Sequence, residues 1–285
     1  MMPRKILCPI DFSAGSRHAF RVAARLAGDA AAELLLVHAW FLPPIAAGGD
    51  MPLPADAIQG LVDDAERGLA ELVPEANDLG VERVSSQLVS GPPWERIIGL
   101  AEPEDLIVMG THGRTGIRRF LLGSVAEKVV RHAPCSVLVA RDAGEPTPFR
   151  NLLVPIDFSD YSKRALEEAS ALARRTDGRI TLLHVVELPP IFHGVPPGEL
   201  VKDVDAMART KLATWAEQVA PGVPMTQLVR SGSAAGQILA VLHEDPTFDL
   251  VIAGSHGRTG FQRLMLGSVA EKLVRYASRP VLVAR

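Results

Sequence analysis

The chain repeats itself, and that narrows what it can fold into more than any other feature. Residues 110–141 read GTHGRTGIRRFLLGSVAEKVVRHAPCSVLVAR, and residues 254–285 read GSHGRTGFQRLMLGSVAEKLVRYASRPVLVAR. About two thirds of these positions are identical, at a constant offset of 144. The beginnings of the two halves correspond as well. Lys5-Ile-Leu-Cys-Pro-Ile-Asp-Phe-Ser13 matches Asn151-Leu-Leu-Val-Pro-Ile-Asp-Phe-Ser159 at an offset of 146. Solenoid units repeat every 20–50 residues or so, so a period this long means a duplicated domain. A length of 285 residues suits two domains, each large enough to bury a core of its own. The polar stretch Asp142-Ala-Gly-Glu-Pro-Thr-Pro148 has the Pro/Gly character of a linker. The domains are therefore expected at 1–142 and 150–285.

Each half reads as an alternation of strand and helix. In the first, residues 4–10 form a short apolar strand, and Asp11-Phe-Ser13 opens a helix that runs to about Ala27. Ser13 can cap that helix, and Phe12 stands where a hydrophobic staple would. Strands follow at Glu33–Ala39, Arg83–Val89, Leu106–Met109 and Val137–Arg141. Helices are expected at Ala57–Leu79, Trp94–Ala101 and Ser124–His132, with a Pro-rich loop over Phe41–Pro54. In the second half the strands fall near 151–156, 179–186, 224–230, 249–253 and 280–284. Strands that are apolar without alternation belong to a parallel sheet covered on both faces. The fold class is thus α/β: two Rossmann-like, doubly wound, five-stranded parallel-sheet domains. Such sheets hold ligands at the carboxyl ends of their strands, where the strand order switches.

Composition excludes several functions. Apolar residues make up 47%, charged residues 22%, and the net charge is −3. No Lys/Arg block is present, which points away from a nucleic-acid partner. No uncharged apolar run reaches the roughly 18 residues of a membrane span, and the start of the chain carries no signal-peptide core, so a cytoplasmic location is expected. Cys8 and Cys135 belong to no metal or redox motif and read as small apolar residues.

Three features recur at strand carboxyl ends in both halves. The first is G-x-x-G-x9-G-S: Gly110, Gly113, Gly123 and Ser124, repeated as Gly254, Gly257, Gly267 and Ser268. A glycine straight after a strand lets a ligand approach the backbone. Gly-Ser before a helix presents free N–H groups, a positive helix end and a hydroxyl to phosphate. The spacing is neither that of a P-loop nor that of a dinucleotide fingerprint. A tight turn and a helix entry would use the same glycines, but recurrence of the whole arrangement favours phosphate. The second feature is Asp11 and Asp157, placed to reach ribose hydroxyls or a metal carried by phosphates, with helix capping as the alternative. The third is His112-Gly-Arg114 and His256-Gly-Arg258, where Arg114 and Arg258 offer forked donors to phosphate or simply face water. His38, His184, Trp94 and Trp215 read as packing residues.

These residues resemble the universal stress protein family. The resemblance covers essentially the whole chain, twice. It rests on Pro-Ile-Asp-Phe-Ser after the first strand, on G-x-x-G-x9-G-S after the fourth, on the Gly-Ser-Val-Ala-Glu-Lys helix, and on the closing Val-Leu-Val-Ala-Arg strand. It implies that Asp11, Gly110, Gly113, Gly123 and Ser124, with Asp157, Gly254, Gly257, Gly267 and Ser268, surround ATP. The backbone at Ala39 and Val185 would face adenine. The resemblance also implies pairing through the fifth strands, here within one chain at Val137–Arg141 and Val281–Arg285, with a homodimer as a further form. Pairing would remove two exposed apolar edges.

The expected function is an ATP-binding stress-response regulator with two sites, magnesium arriving with the nucleotide, and little or no turnover. A slow ATP hydrolase and a nucleotide-independent scaffold for a protein partner are the alternatives. Phosphoryl transfer needs positioned metal ligands and a group orienting the nucleophile, and the motifs supply one carboxylate and one Arg per site. The pattern leaves ATP, AMP and a cyclic nucleotide as alternative ligands.

Overall fold

The computed structural model describes residues 3–41, 54–111, 122–141, 148–187, 199–257 and 266–285, the side chains of 199–204 excepted. The chain divides into two compact units, Met2–Pro146 and Thr147–Arg285.

In the first unit the elements are β1 (Lys5–Pro9), α1 (Ala14–Ala30), β2 (Glu33–Trp40), α2 (Ala55–Asp78), β3 (Val84–Ser90), α3 (Pro93–Gly99), β4 (Leu106–Gly110), α4 (Ser124–His132) and β5 (Ser136–Ala140). In the second they are β6 (Asn151–Pro155), α5 (Asp160–Thr176), β7 (Arg179–Val186), α6 (Glu199–Val219), β8 (Met225–Ser231), α7 (Ala234–Glu244), β9 (Leu250–Gly254), α8 (Ser268–Tyr276) and β10 (Val281–Ala284).

The first unit's strands lie in the order β3-β2-β1-β4-β5, all parallel. The second unit's order is β8-β7-β6-β9-β10, also parallel. Each unit is therefore a doubly wound, Rossmann-like sheet. The chain winds outward from β1 to β3, then returns to the other side of β1 to lay down β4. Ile6 pairs with Leu34 on one side and Leu106 on the other. Loops leaving β1 and β4 consequently part in opposite directions, and a crevice opens between them. β6 and β9 repeat this arrangement, with Leu152 beside Ile180 and Leu250.

Burial explains the apolar strands. Ile6, Leu7, Cys8, Ile107 and Val108 are wholly buried, as are Leu152, Leu153, Val154, Val251 and Ile252. Helices cover both faces, which favours apolar side chains along these strands. α1 lays Ala19, Phe20, Ala23, Ala24 and Ala27 on the sheet, and its alanines bring its axis close to the strands. Both cysteines are free and buried, and burial pushes the Cys8 thiol far up, which keeps it protonated.

That close approach sets the identity of the residue that ends β4. A Cβ on Gly110 would lie 2.8 Å from the carbonyl oxygen of Gly15, in the first turn of α1. A Cβ on Gly254 would lie 2.7 Å from the carbonyl carbon of Tyr161, in the first turn of α5. The obstacles are backbone atoms, so relief requires a helix to move. Gly110→Ala and Gly254→Ala should each destabilise their own unit by about 1–3 kcal/mol. The melting temperature should fall by several degrees, at about 2–4 °C per kcal/mol for a domain near this size. Thermal unfolding followed by circular dichroism measures this, and an unchanged melting temperature would show that the helix is not pressed against the strand.

Candidate functional site

The corner between β1 and α1 is built by two side chains. The Asp11 Oδ1 accepts hydrogen bonds from the Ser13 amide at 3.0 Å and the Ser13 hydroxyl at 2.6 Å. The Ser13 Oγ in turn accepts the Ser16 amide at 3.2 Å, which caps α1. Asp157, Ser159 and Ser162 repeat these bonds at 3.0, 2.6 and 3.2 Å. The residue between Asp and Ser is bent into the left-handed region: φ is +64° at Phe12 and +66° at Phe158. A bulky residue there costs about 1–3 kcal/mol, so the surrounding structure holds it.

His38 and His184 supply part of that hold. The Phe12 ring centroid lies 4.8 Å from that of His38, and Phe158 lies 4.8 Å from His184. His38 Nδ1 donates to the Ile10 carbonyl at 2.6 Å, and His184 Nδ1 donates to the Ile156 carbonyl at 2.7 Å. A carbonyl can only accept, so Nδ1 carries the proton. The staple expected of Phe12 is replaced by this contact. The partner position one turn into α1 holds Arg17, and the ring packs on His38 instead.

The loop leaving β4 is tied at its base. The Gly123 amide donates to the Thr111 carbonyl at 2.7 Å, and the Gly267 amide donates to the Ser255 carbonyl at 2.8 Å. These bonds seat α4 and α8 beside the ends of β4 and β9. α4 and α8 begin with Gly123 and Gly267 as N-caps, and no side chain caps either. The contrast with Ser13 on α1 and Ser159 on α5 is direct. The first-turn amides of α4 and α8 therefore look outward for acceptors. Glu127 and Glu271, in those first turns, are tied to Arg131 at 3.1 Å and Arg275 at 3.4 Å.

In the first unit these parts converge. Asp11, Ala39, Gly110, Gly123 and Ser124 all line one cavity of about 880 Å³. Gly113 and Arg114 lie outside the described residues. α2 contributes one side of the cavity through Leu61, Asp64, Ala65 and Gly68, and Trp40 and Phe41 contribute its rim. Those residues had a signal in the sequence, since 61, 64, 65 and 68 share one face at helical spacing. Helical spacing predicts α2 but does not say what that face meets. A Cβ on Gly68 would lie 2.7 Å from the Phe12 ring, so α2 closes directly on the β1–α1 corner.

In the second unit a Cβ on Gly257 would lie 2.9 Å from the Asp157 Oδ2. The two motifs, far apart in sequence, thus meet. A Cβ on Gly267 would lie 3.2 Å from the His256 Cα, which places α8 against the same loop. Val185 sits in β7 beside Arg230. Arg258 lies outside the described residues. Phe158 meets a different set of neighbours from Phe12. The Lys211 ammonium stands 4.2 Å over its ring, and Trp215 meets it edge-on at 5.8 Å. Trp94, in the first unit, packs 5.7 Å from His132 with Lys128 over its ring at 5.1 Å.

Among the described residues no helix is long and apolar enough to cross a membrane. No group of three His, Cys, Asp or Glu residues among them is arranged to hold a metal ion.

Known proteins extend this picture. The model of the universal stress protein family matches residues 2–141 and again 148–285. The universal stress protein Rv2623 of Mycobacterium tuberculosis is 30% identical over 296 residues, covering 98% of this chain and 96% of its own. Universal stress protein Rv2005c of the same organism is 32% identical over 236 residues, covering 78% of this chain and 77% of its own. The crystal structure of a universal stress protein from Archaeoglobus fulgidus matches in fold, with a TM-score of 0.75 at 24% identity, over 100% of this chain and 99% of that one. Two successive matches to the family model, together with relatives that align over nearly the whole chain, establish the assignment: the chain belongs to the universal stress protein family, in the form that carries two family domains in tandem.

Proposed function

We propose that each unit binds one adenine nucleotide at its strand switch point and works as a stress-response regulator rather than as an efficient enzyme. The observation that carries this reading is the convergence of Asp11, Ala39, Gly110, Gly123 and Ser124 on one cavity of about 880 Å³. Ligand pockets run from about 300 to 1,000 Å³, so the cavity has room for a nucleotide. Its chemistry is divided as a nucleotide is divided. The uncapped start of α4 offers backbone amides and the Ser124 hydroxyl to phosphate. Leu61, Ala65, Ile97 and Trp40 offer apolar surface to a base. Asp11 lines the same cavity, with Oδ1 held by Ser13. Its Oδ2 would accept a ribose hydroxyl or face magnesium carried by the phosphates, as would Asp157 in the second unit.

ATP with magnesium is the ligand proposed, with AMP or a cyclic nucleotide fitting the same amides through fewer phosphate oxygens. Little turnover is part of the proposal, and the way the carboxylates are used supports it. Asp11 and Asp157 each give Oδ1 to the corner that caps α1 and α5, and Glu127 and Glu271 are paired with arginines. Each is employed in holding the site together. A cytoplasmic location is proposed with the regulatory role.

Two outcomes test the reading. ATP with magnesium at about 100 times its dissociation constant should stabilise a binding unit by about 2.7 kcal/mol. The melting temperature should rise by several degrees, and the absence of any shift would count against nucleotide binding. Gly113→Ala should weaken binding in the first unit and leave the second able to bind, and Gly257→Ala should do the reverse by pushing against the Asp157 carboxylate. Titration calorimetry on the double variant should find no site; unchanged binding there would refute the site assignment.

A further inference from the structure

The two units differ at one position against the start of the glycine loop, and the difference is chemical. In the first unit, the residue facing the bare side of the glycine that ends β4 is Gly15. In the second unit the residue facing Gly254 is Tyr161. Tyr161 is half-buried, and its ring lies 4.8 Å from that of His256 at an interplanar angle of 40°. The Arg164 guanidinium stands over the same Tyr161 ring at 6.0 Å.

His256 is held from its other neighbours as well. Its Nδ1 lies 3.1 Å from the hydroxyl of Ser255, which is buried. The Ser255 amide donates to the Ala284 carbonyl at 2.9 Å, and its own carbonyl accepts the Gly267 amide at 2.8 Å. His256 is therefore followed directly by the glycine that abuts Asp157 and flanked in space by the N-cap of α8. A contact on the His256 ring thus acts next to Gly257 and beside Gly267.

The geometry points to Tyr161 as a positioning residue of the second unit's nucleotide site, one that preorganises that site with a ring for which Gly15 of the first unit has no counterpart. This rests on the nucleotide reading above and goes beyond it by making the sites inequivalent. A site ordered before the ligand arrives loses less free energy on binding. Gly15, the corresponding residue of the first unit, has no side chain with which to stack.

Tyr161→Ala and Tyr161→Phe in the full chain test the inference. Alanine keeps helix propensity at the start of α5 and removes the ring, whereas phenylalanine keeps the ring. Two readouts are needed: ATP–magnesium affinity resolved by unit, and amide exchange of Gly267 in the nucleotide-free chain by NMR. An aromatic pair of this kind predicts about a three- to tenfold loss of affinity at the second unit in Tyr161→Ala. Gly267 exchange should accelerate by a similar factor, the first unit should be unaffected, and Tyr161→Phe should match the parent. Alanine and phenylalanine variants that behave alike would overturn the inference, as would faster exchange with unchanged affinity. A parent chain that binds no adenine nucleotide would defeat the functional reading instead. Exchange at Gly267 would then decide alone whether Tyr161 orders the loop, and no acceleration in Tyr161→Ala would overturn that too.

Discussion

The hydrogen bond from the Ser13 hydroxyl to the Asp11 carboxylate, with its twin between Ser159 and Asp157, is the contact on which the site is assembled. It turns the chain sharply at the end of the first strand, starts the first helix with a capped amide, and forces the intervening phenylalanine into a left-handed conformation. The phenylalanine ring then meets the histidine of the second strand, whose Nδ1 ties back to the carbonyl just before the aspartate. The corner is closed on itself through three elements. Its strain of about 1–3 kcal/mol is offset by a charge-assisted bond, a cap and a ring contact.

From that corner the demands pass to the rest of the unit. Starting the helix so soon after the strand presses its first turn against the end of the fourth strand, which is why Gly110 and Gly254 carry no Cβ. The same glycines were expected to admit a ligand, and the structure gives them a packing duty first. The two duties are compatible at Gly110, whose bare side meets α1 while the residue also lines the first unit's cavity. Gly123 and Gly267 likewise act as uncapped helix starts and as hydrogen-bond donors that tie the loop base. Structural and ligand-facing roles coincide in one small set of residues, so substitutions there will rarely separate stability from binding.

The fold was legible because its signals are local or repeated. Apolar runs without alternation at Lys5–Pro9 and Leu106–Gly110 announce a parallel sheet, and the repeat at an offset of 144 announces two of them. The Asp and glycine motifs were legible because they recur at strand ends. What could not be read was anything that depends on which side chain meets which across the crevice. The α2 face of Leu61, Asp64, Ala65 and Gly68 has helical spacing, yet nothing in the sequence says it closes on Phe12. The Tyr161–His256 contact joins residues 95 positions apart, and only folding α5 against β9 brings them together. The positive φ at Phe12 is equally hidden, since phenylalanine has no local preference for it.

If each unit carries one nucleotide site at its own strand switch, the number of nucleotides bound per chain is fixed. Equilibrium dialysis of the full chain against labelled ATP with magnesium, carried to saturation, counts them directly. Two nucleotides per chain are expected, displaced by unlabelled ATP but not by inorganic triphosphate at equal concentration. Saturation below two, or displacement by triphosphate as readily as by ATP, would contradict a nucleotide site in each unit.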